Sequence, residues 1–134
     1  MAALTSPGPE PAQPDRKPVD ARTGSLGGIW VPLPRVVIRL DFAGGGRVGH
    51  GKISLLEHIE QTGSIAQAAR VLGMSYPRAL QLLAQLDATL GEPSVARAAG
   101  GPRGGGARLT HPGRELVARY RAIEAAAQLG AEAA

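Results

Sequence analysis

The chain is 134 residues long with a formal net charge of +4 and a sequence pI near 10.3, enough for one domain with a modest core and tilted toward polyanionic partners. It has no cysteine, which excludes a disulfide framework and thiolate metal sites. No apolar run nears the roughly 18 residues that span a bilayer and no signal-peptide pattern opens the chain, so a soluble cytoplasmic protein with no membrane partner is expected.

Residues 1–34 hold Pro7, Pro9, Pro11, Pro14, Pro18, Pro32 and Pro34 among Gly, Ser and scattered charges, the composition of a disordered tail. Trp30 lies within it beside Ile29 and Val31, either as a docking anchor or as part of a flexible arm. Order is expected from Arg35. VVIRLDF alternates, with Val37, Arg39 and Asp41 on one face and the apolar Val36, Ile38, Leu40 and Phe42 on the other, and Gly44–Gly46 turn the chain afterwards.

From about Gly51, Ile53, Leu56 and Ile59 trace the inner stripe of a helix that Gly63 stops. Ser64 followed by Gln67 is a capping box for a short second helix. Ala66, Ala68 and Ala69 allow close approach there, Ile65 and Leu72 are its anchors, and Gly73 ends it. Met74 is expected to point inward and Ser75 to cap a third helix. Along that helix Leu80, Leu83, Leu86 and Leu90 recur on one side and Arg78, Gln81 and Gln85 on the other. Two helices joined this tightly are a helix-turn-helix.

Gly91 and Pro93 interrupt the helix, and Ser94–Arg97, the Gly-rich loop Ala99–Gly106 and Ala107–Leu109 then read as the two strands and tip of a wing. Thr110 caps a last helix with Pro112 in its first turn, and Leu116, Tyr120, Ile123 and Ala127 follow at spacings of three and four. Its Ala-rich end suits either an identical helix, giving a homodimer, or cover for its own core. The fold class expected is mainly α with a small β-wing: a winged helix-turn-helix with a leading strand and a long C-terminal helix over residues 35–129, then a flexible C-terminus at 130–134.

Reading base edges requires donors on the first turns of a helix narrow enough for the major groove, and Ser75, Tyr76, Arg78 and Gln81 are so placed. Arg103 and Arg108 sit on the wing, where small residues let the backbone run close to phosphates. Between Val95 and Arg121 six arginines face the single acid Glu115, so that end of the domain carries a positive field. Gly46–Lys52, GRVGHGK, fits the phosphate-loop spacing GxxxxGK, but Ile53 stands where a hydroxyl would hold Mg²⁺, so Lys52 is assigned to a DNA phosphate or solvent instead. His50, His58 and His111 are scattered and no nucleophile–base set is visible, so no enzyme and no metal site is expected.

QTGSIAQAARVLGMSYPRALQLLAQL, the wing GGPRGGGAR, LTHPG and the lead-in RLDFAGGGRVGHGKISLLEHI together resemble the N-terminal DNA-binding domain of ModE-type molybdate-responsive transcriptional regulators, from about Arg39 to Tyr120. LysR-type regulators share the winged helix, and Pro77 fits them, whereas LGMSY, the leading strand and the Gly-rich wing fit the ModE type. The resemblance implies a dimer on double-stranded, palindromic operator DNA, repressing molybdate-uptake genes or activating molybdoenzyme genes. It places Ser75, Tyr76, Arg78 and Gln81 in the recognition helix and Arg103 and Arg108 in the wing. Full-length members carry molybdate-binding domains after the last helix, and this sequence stops at Ala134, so no cofactor is expected on this chain and molybdate enters as effector through the resemblance alone. The alternatives are a LysR-like DNA-binding protein unrelated to molybdate and a winged-helix module that binds protein.

Overall fold

A computed structural model of the chain describes residues 23–26, 29–98 and 106–133. Its Cα trace divides into two compact units, one made of the described residues up to Val36 together with the chain from Gln128 on, the other of Val37–Ala127.

In the first unit β1 (Thr23–Leu26) and β2 (Ile29–Pro32) pair antiparallel with Leu26 opposite Ile29, so two glycines in sequence separate the strands, a spacing and composition that hairpins favour. Part of the span expected as a disordered tail is thus paired strand; residues 1–22 and the docking of the Trp30 side chain lie outside the described residues. In the same unit the amide of Gln128 ties the chain that follows the hairpin. Its Oε1 accepts from the Val36 N–H at 2.7 Å, and its Nε2 donates to the Pro34 carbonyl at 3.1 Å.

The second unit opens with a hairpin shorter than the seven-residue alternation suggests. Only Leu40–Asp41 (β3) pairs, with Arg47–Val48 (β4), because Gly46 precedes β4 and α1 begins at His50, leaving no longer partner. The alternation still orients the side chains as expected. Val37, Arg39 and Asp41 are exposed, while Ile38, Leu40 and Phe42 pack against the core. Gly45 closes the turn at φ 103°, a conformation costly for any residue with a Cβ.

Three helices carry the core: α1 (His50–Thr62), α2 (Ile65–Leu72) and α3 (Tyr76–Leu90). Ile53, Leu55, Leu56 and Ile59 of α1 are fully buried against Ile65, Ala68 and Ala69 of α2 and Ala79, Leu82, Leu83 and Leu86 of α3. Two details depart from the sequence reading. Ala66 faces solvent, and the α3 seam is led by Ala79 and Leu82, with Leu80 and Leu90 rotated to its margin. Both serines cap their helices, Ser64 Oγ accepting from the Gln67 N–H and Ser75 Oγ from the Arg78 N–H, both at 3.1 Å, but the reciprocal half of the capping box is replaced: the Ser64 N–H donates to Thr62 Oγ1 at 3.3 Å instead of to the Gln67 side chain. Between them Gly73, at φ 72°, closes a Schellman turn in which its N–H bonds to the Arg70 carbonyl and that of Met74 to the Ala69 carbonyl.

The wing is β5 (Val95–Arg97) paired antiparallel with β6 (Ala107–Leu109). Then α4 (His111–Glu132) starts under the Thr110 side chain, which accepts from the Gly113 N–H at 3.2 Å, and it continues into residues set aside as a flexible C-terminus. Leu116 and Tyr120 bury the first half of α4 in the core, and the Tyr120 hydroxyl donates to the Ile38 carbonyl at 2.9 Å. Ile123, read as part of the same stripe, is 42% exposed. No helix among the described residues is long and apolar enough to cross a membrane.

Candidate nucleic-acid interface

The residues that lead α3 are presented to solvent. Ser75 accepts from the Arg78 N–H as the cap, which fixes the start of the helix and leaves its hydroxyl able to donate, and Pro77 occupies the first turn, where a missing N–H costs little. Tyr76 is 43% exposed, so it is not a core residue. One turn on, the Arg78 guanidinium donates to Gln81 Oε1, joining two long polar side chains into one unit on the exposed face. Such a pair holds donors in a defined plane, which favours bidentate recognition of base edges over diffuse attraction.

The wing is anchored rather than floating. The Ala107 N–H bonds to the Gly63 carbonyl at 2.9 Å, and the Leu109 N–H bonds to Glu60 Oε1 at 2.8 Å, so β6 is stitched to the C-terminal end of α1. Arg97 and Arg108 project, exposed, from the two strands. Arg103 lies outside the described residues. A second stitch runs under the wing: fully buried Ser94 gives its N–H and its hydroxyl to Asp87 Oδ1 of α3, at 2.8 and 2.7 Å, and its carbonyl accepts from the Thr110 N–H at 3.0 Å. Neither Glu60 nor Asp87 stands out in the sequence, since each reads as one more surface acid on a helix.

Lys52 reaches back from α1 and donates to the Arg47 carbonyl at 2.7 Å. Partial burial, and then the nearby Arg78 charge, push its ammonium below the usual lysine range, and Lys52 lines one groove with Gln85 and Thr89 of the recognition helix. The phosphate-loop reading of Gly46–Lys52 has no loop to stand on: Arg47–Val48 is strand, Val48 and Ile53 are fully buried, and Gly49 is the extended cap of α1. The ion pairs found among the described residues engage Arg39 and Arg121, and none engages Arg47, Lys52, Arg78, Arg97 or Arg108. Among the described residues these five, like Arg35, Arg70, Arg114 and Arg119, stand in no ion pair.

A capped helix-turn-helix with a tethered β-wing and exposed arginines on both defines the class: a winged helix-turn-helix DNA-binding domain. Residues 51–114 match the bacterial regulatory helix-turn-helix protein family, lysR type. The chain is 45% identical over 85 residues to the molybdenum transport protein ModE of Azotobacter vinelandii, which covers 63% of this chain and 32% of that protein. It is 46% identical over 81 residues to the molybdenum-pterin-binding protein MopB of Rhodobacter capsulatus (60% of this chain, 30% of that one). It is 42% identical over 69 residues to the DNA-binding transcriptional dual regulator ModE of Escherichia coli K12 (52% and 26%). Over the matched residues the chain is similar to these ModE- and Mop-named proteins. It spans about a quarter to a third of the length of the curated relatives it matches.

Proposed function

We infer that the chain reads DNA for a transcriptional regulator of ModE type, as a cytoplasmic homodimer on a palindromic operator, controlling genes of molybdate uptake or molybdoenzymes. The observation that carries the DNA reading is the Arg78–Gln81 pair, exposed one turn into a helix whose start Ser75 fixes, with Arg47, Lys52, Arg97 and Arg108 also outside every ion pair among the described residues. Ser75, Tyr76, Arg78 and Gln81 then serve as the base-reading set, Arg103 and Arg108 as wing contacts and Lys52 as a phosphate contact, all within a reading domain at 35–129. The link to molybdenum comes from the names of the relatives. Relatives named as regulators support a role in binding rather than catalysis.

Dimerisation is supported by α4, whose first half packs on the core through Leu116 and Tyr120 while Ile123 is left 42% and, further along, Leu129 66% exposed. The decisive experiment is DNA binding against salt, using duplexes from upstream of the chain's own operon. Affinity falls steeply as salt rises, Arg78→Ala flattens the preference among sequences by roughly 1 to 3 kcal/mol per lost base contact, and Arg108→Ala weakens all duplexes alike. Protein with no salt-sensitive binding to such DNA would overturn the reading.

A further inference from the structure

The β3–β4 turn carries a basic corner that the helix-turn-helix and wing do not account for. Arg47 and Lys52, together with the bare backbone of Gly44 and Gly45, line one side of an open groove of about 430 Å³, and Gln85 and Thr89 of α3 line the other. Its lining includes two cations and no carboxylate. The turn is pressed onto α3 so closely that a Cβ on Gly46 would collide with the Thr89 side chain, whose hydroxyl is itself bound to the Gln85 carbonyl at 3.0 Å. Lys52 spends one of its three N–H donors on the Arg47 carbonyl and keeps the others for a partner.

This corner lies at the N-terminal end of α1, whereas the wing is stitched to its C-terminal end through Gly63 and Glu60. Thirteen helical residues separate the two ends by about 18 Å at 1.5 Å per residue. A B-DNA major groove is about 12 Å wide and is bordered by a phosphate chain on each side. The chain thus holds cations at both ends of the helix that supports its recognition helix.

Resting on the DNA-binding reading above, we propose that Arg47 and Lys52 form a second phosphate-binding element, which grips the DNA backbone at the end of α1 opposite the wing. The glycine tip has no side chain in the way, so a phosphodiester can approach the turn. The two elements hold the duplex from both ends of α1 and set the angle at which α3 enters the groove. Arg47 contributes register and affinity rather than sequence preference.

The test uses the full chain and a fluorescent 30-base-pair duplex of random sequence, titrated by anisotropy at several salt concentrations. The Arg47→Gln/Lys52→Gln double variant is expected to keep its circular dichroism and to lose about 1.8 from the slope of log affinity against log salt, about 0.9 per phosphate contact. The charge-conserving Arg47→Lys/Lys52→Arg variant restores the slope. An unchanged slope in the double variant, with wild-type binding intact, overturns this proposal and spares the DNA-binding reading. Wild-type protein that does not bind the duplex overturns both. Saturable binding of free ATP that the double variant loses would mean that the corner serves a soluble nucleotide, and would also overturn the proposal.

Discussion

Asp87 accepts both hydrogen bonds that Ser94 can donate, from the N–H at 2.8 Å and from the hydroxyl at 2.7 Å, and so joins the recognition helix to the base of the wing. Ser94 is wholly buried, so water cannot replace a lost acceptor. Asp87→Ala is expected to destabilise the domain by about 1–3 kcal/mol in urea denaturation, and Asp87→Asn, which keeps an acceptor oxygen, by less than half of that. Equal losses in the two variants would show that the bond contributes nothing specific.

Gly113 is required for space. A Cβ there would strike the Ser94 carbonyl, a backbone group that cannot move without disturbing the wing. Gly113→Ala is expected to cost about 1–3 kcal/mol. Gly130, also in α4, meets nothing within 4 Å, and Gly130→Ala is expected to stabilise by about 0.5–1 kcal/mol. Thermal unfolding of the two variants side by side checks the contrast.

Acid sensitivity should arise at Glu57, which takes two hydrogen bonds from the Arg121 guanidinium, at 2.9 Å from Nε and 2.7 Å from Nη2. Those bonds hold the Glu57 carboxyl below its usual 4.5. A carboxylate with a depressed folded-state pKa adds stability that is complete above the unfolded value and is lost as pH falls through the folded one. Glu57→Gln is expected to lose about 0.5–1.5 kcal/mol at neutral pH, and the gap from wild type to close only as pH drops below about 4.5. Denaturation at a series of pH values tests this, and a gap that is constant down to strongly acidic pH would count against it.

Ile123→Glu places a charge on the exposed stripe of α4 without touching the core. Analytical ultracentrifugation of the variant should show a monomer where wild type sediments as a dimer, with an unchanged helical signal. A dimer that survives the substitution would remove this face from the interface.

Much of the reading head was legible in the sequence because its signals are local. Ser64 and Ser75 bond to N–H groups three residues on, and Gly73 takes a backbone conformation that its own chemistry permits, so neither depends on what the rest of the chain does. The period of the leucines announced α3, and the break at Gly91 and Pro93 followed by a glycine-rich loop announced the wing. The extent of β3 was not legible, because a strand is as long as its partner and β4 has two residues. The β1–β2 pairing is not legible either, because prolines on both sides give the stretch the composition of a tail despite the Gly27–Gly28 spacing.

What the sequence by itself determined is the type and order of the helices and wing, together with the exposure of Arg78 and Gln81, since caps, periodicity and glycine conformations act over three or four residues. Tertiary structure alone decided where the wing and the basic corner sit. Glu60 meets Leu109 across 49 positions, Glu57 meets Arg121 across 64, and Gly46 is pressed on Thr89 by packing. Bonds of that reach form only after apolar burial has brought the elements together, and no local pattern distinguishes Glu60 or Asp87 from the solvated acids of any helix.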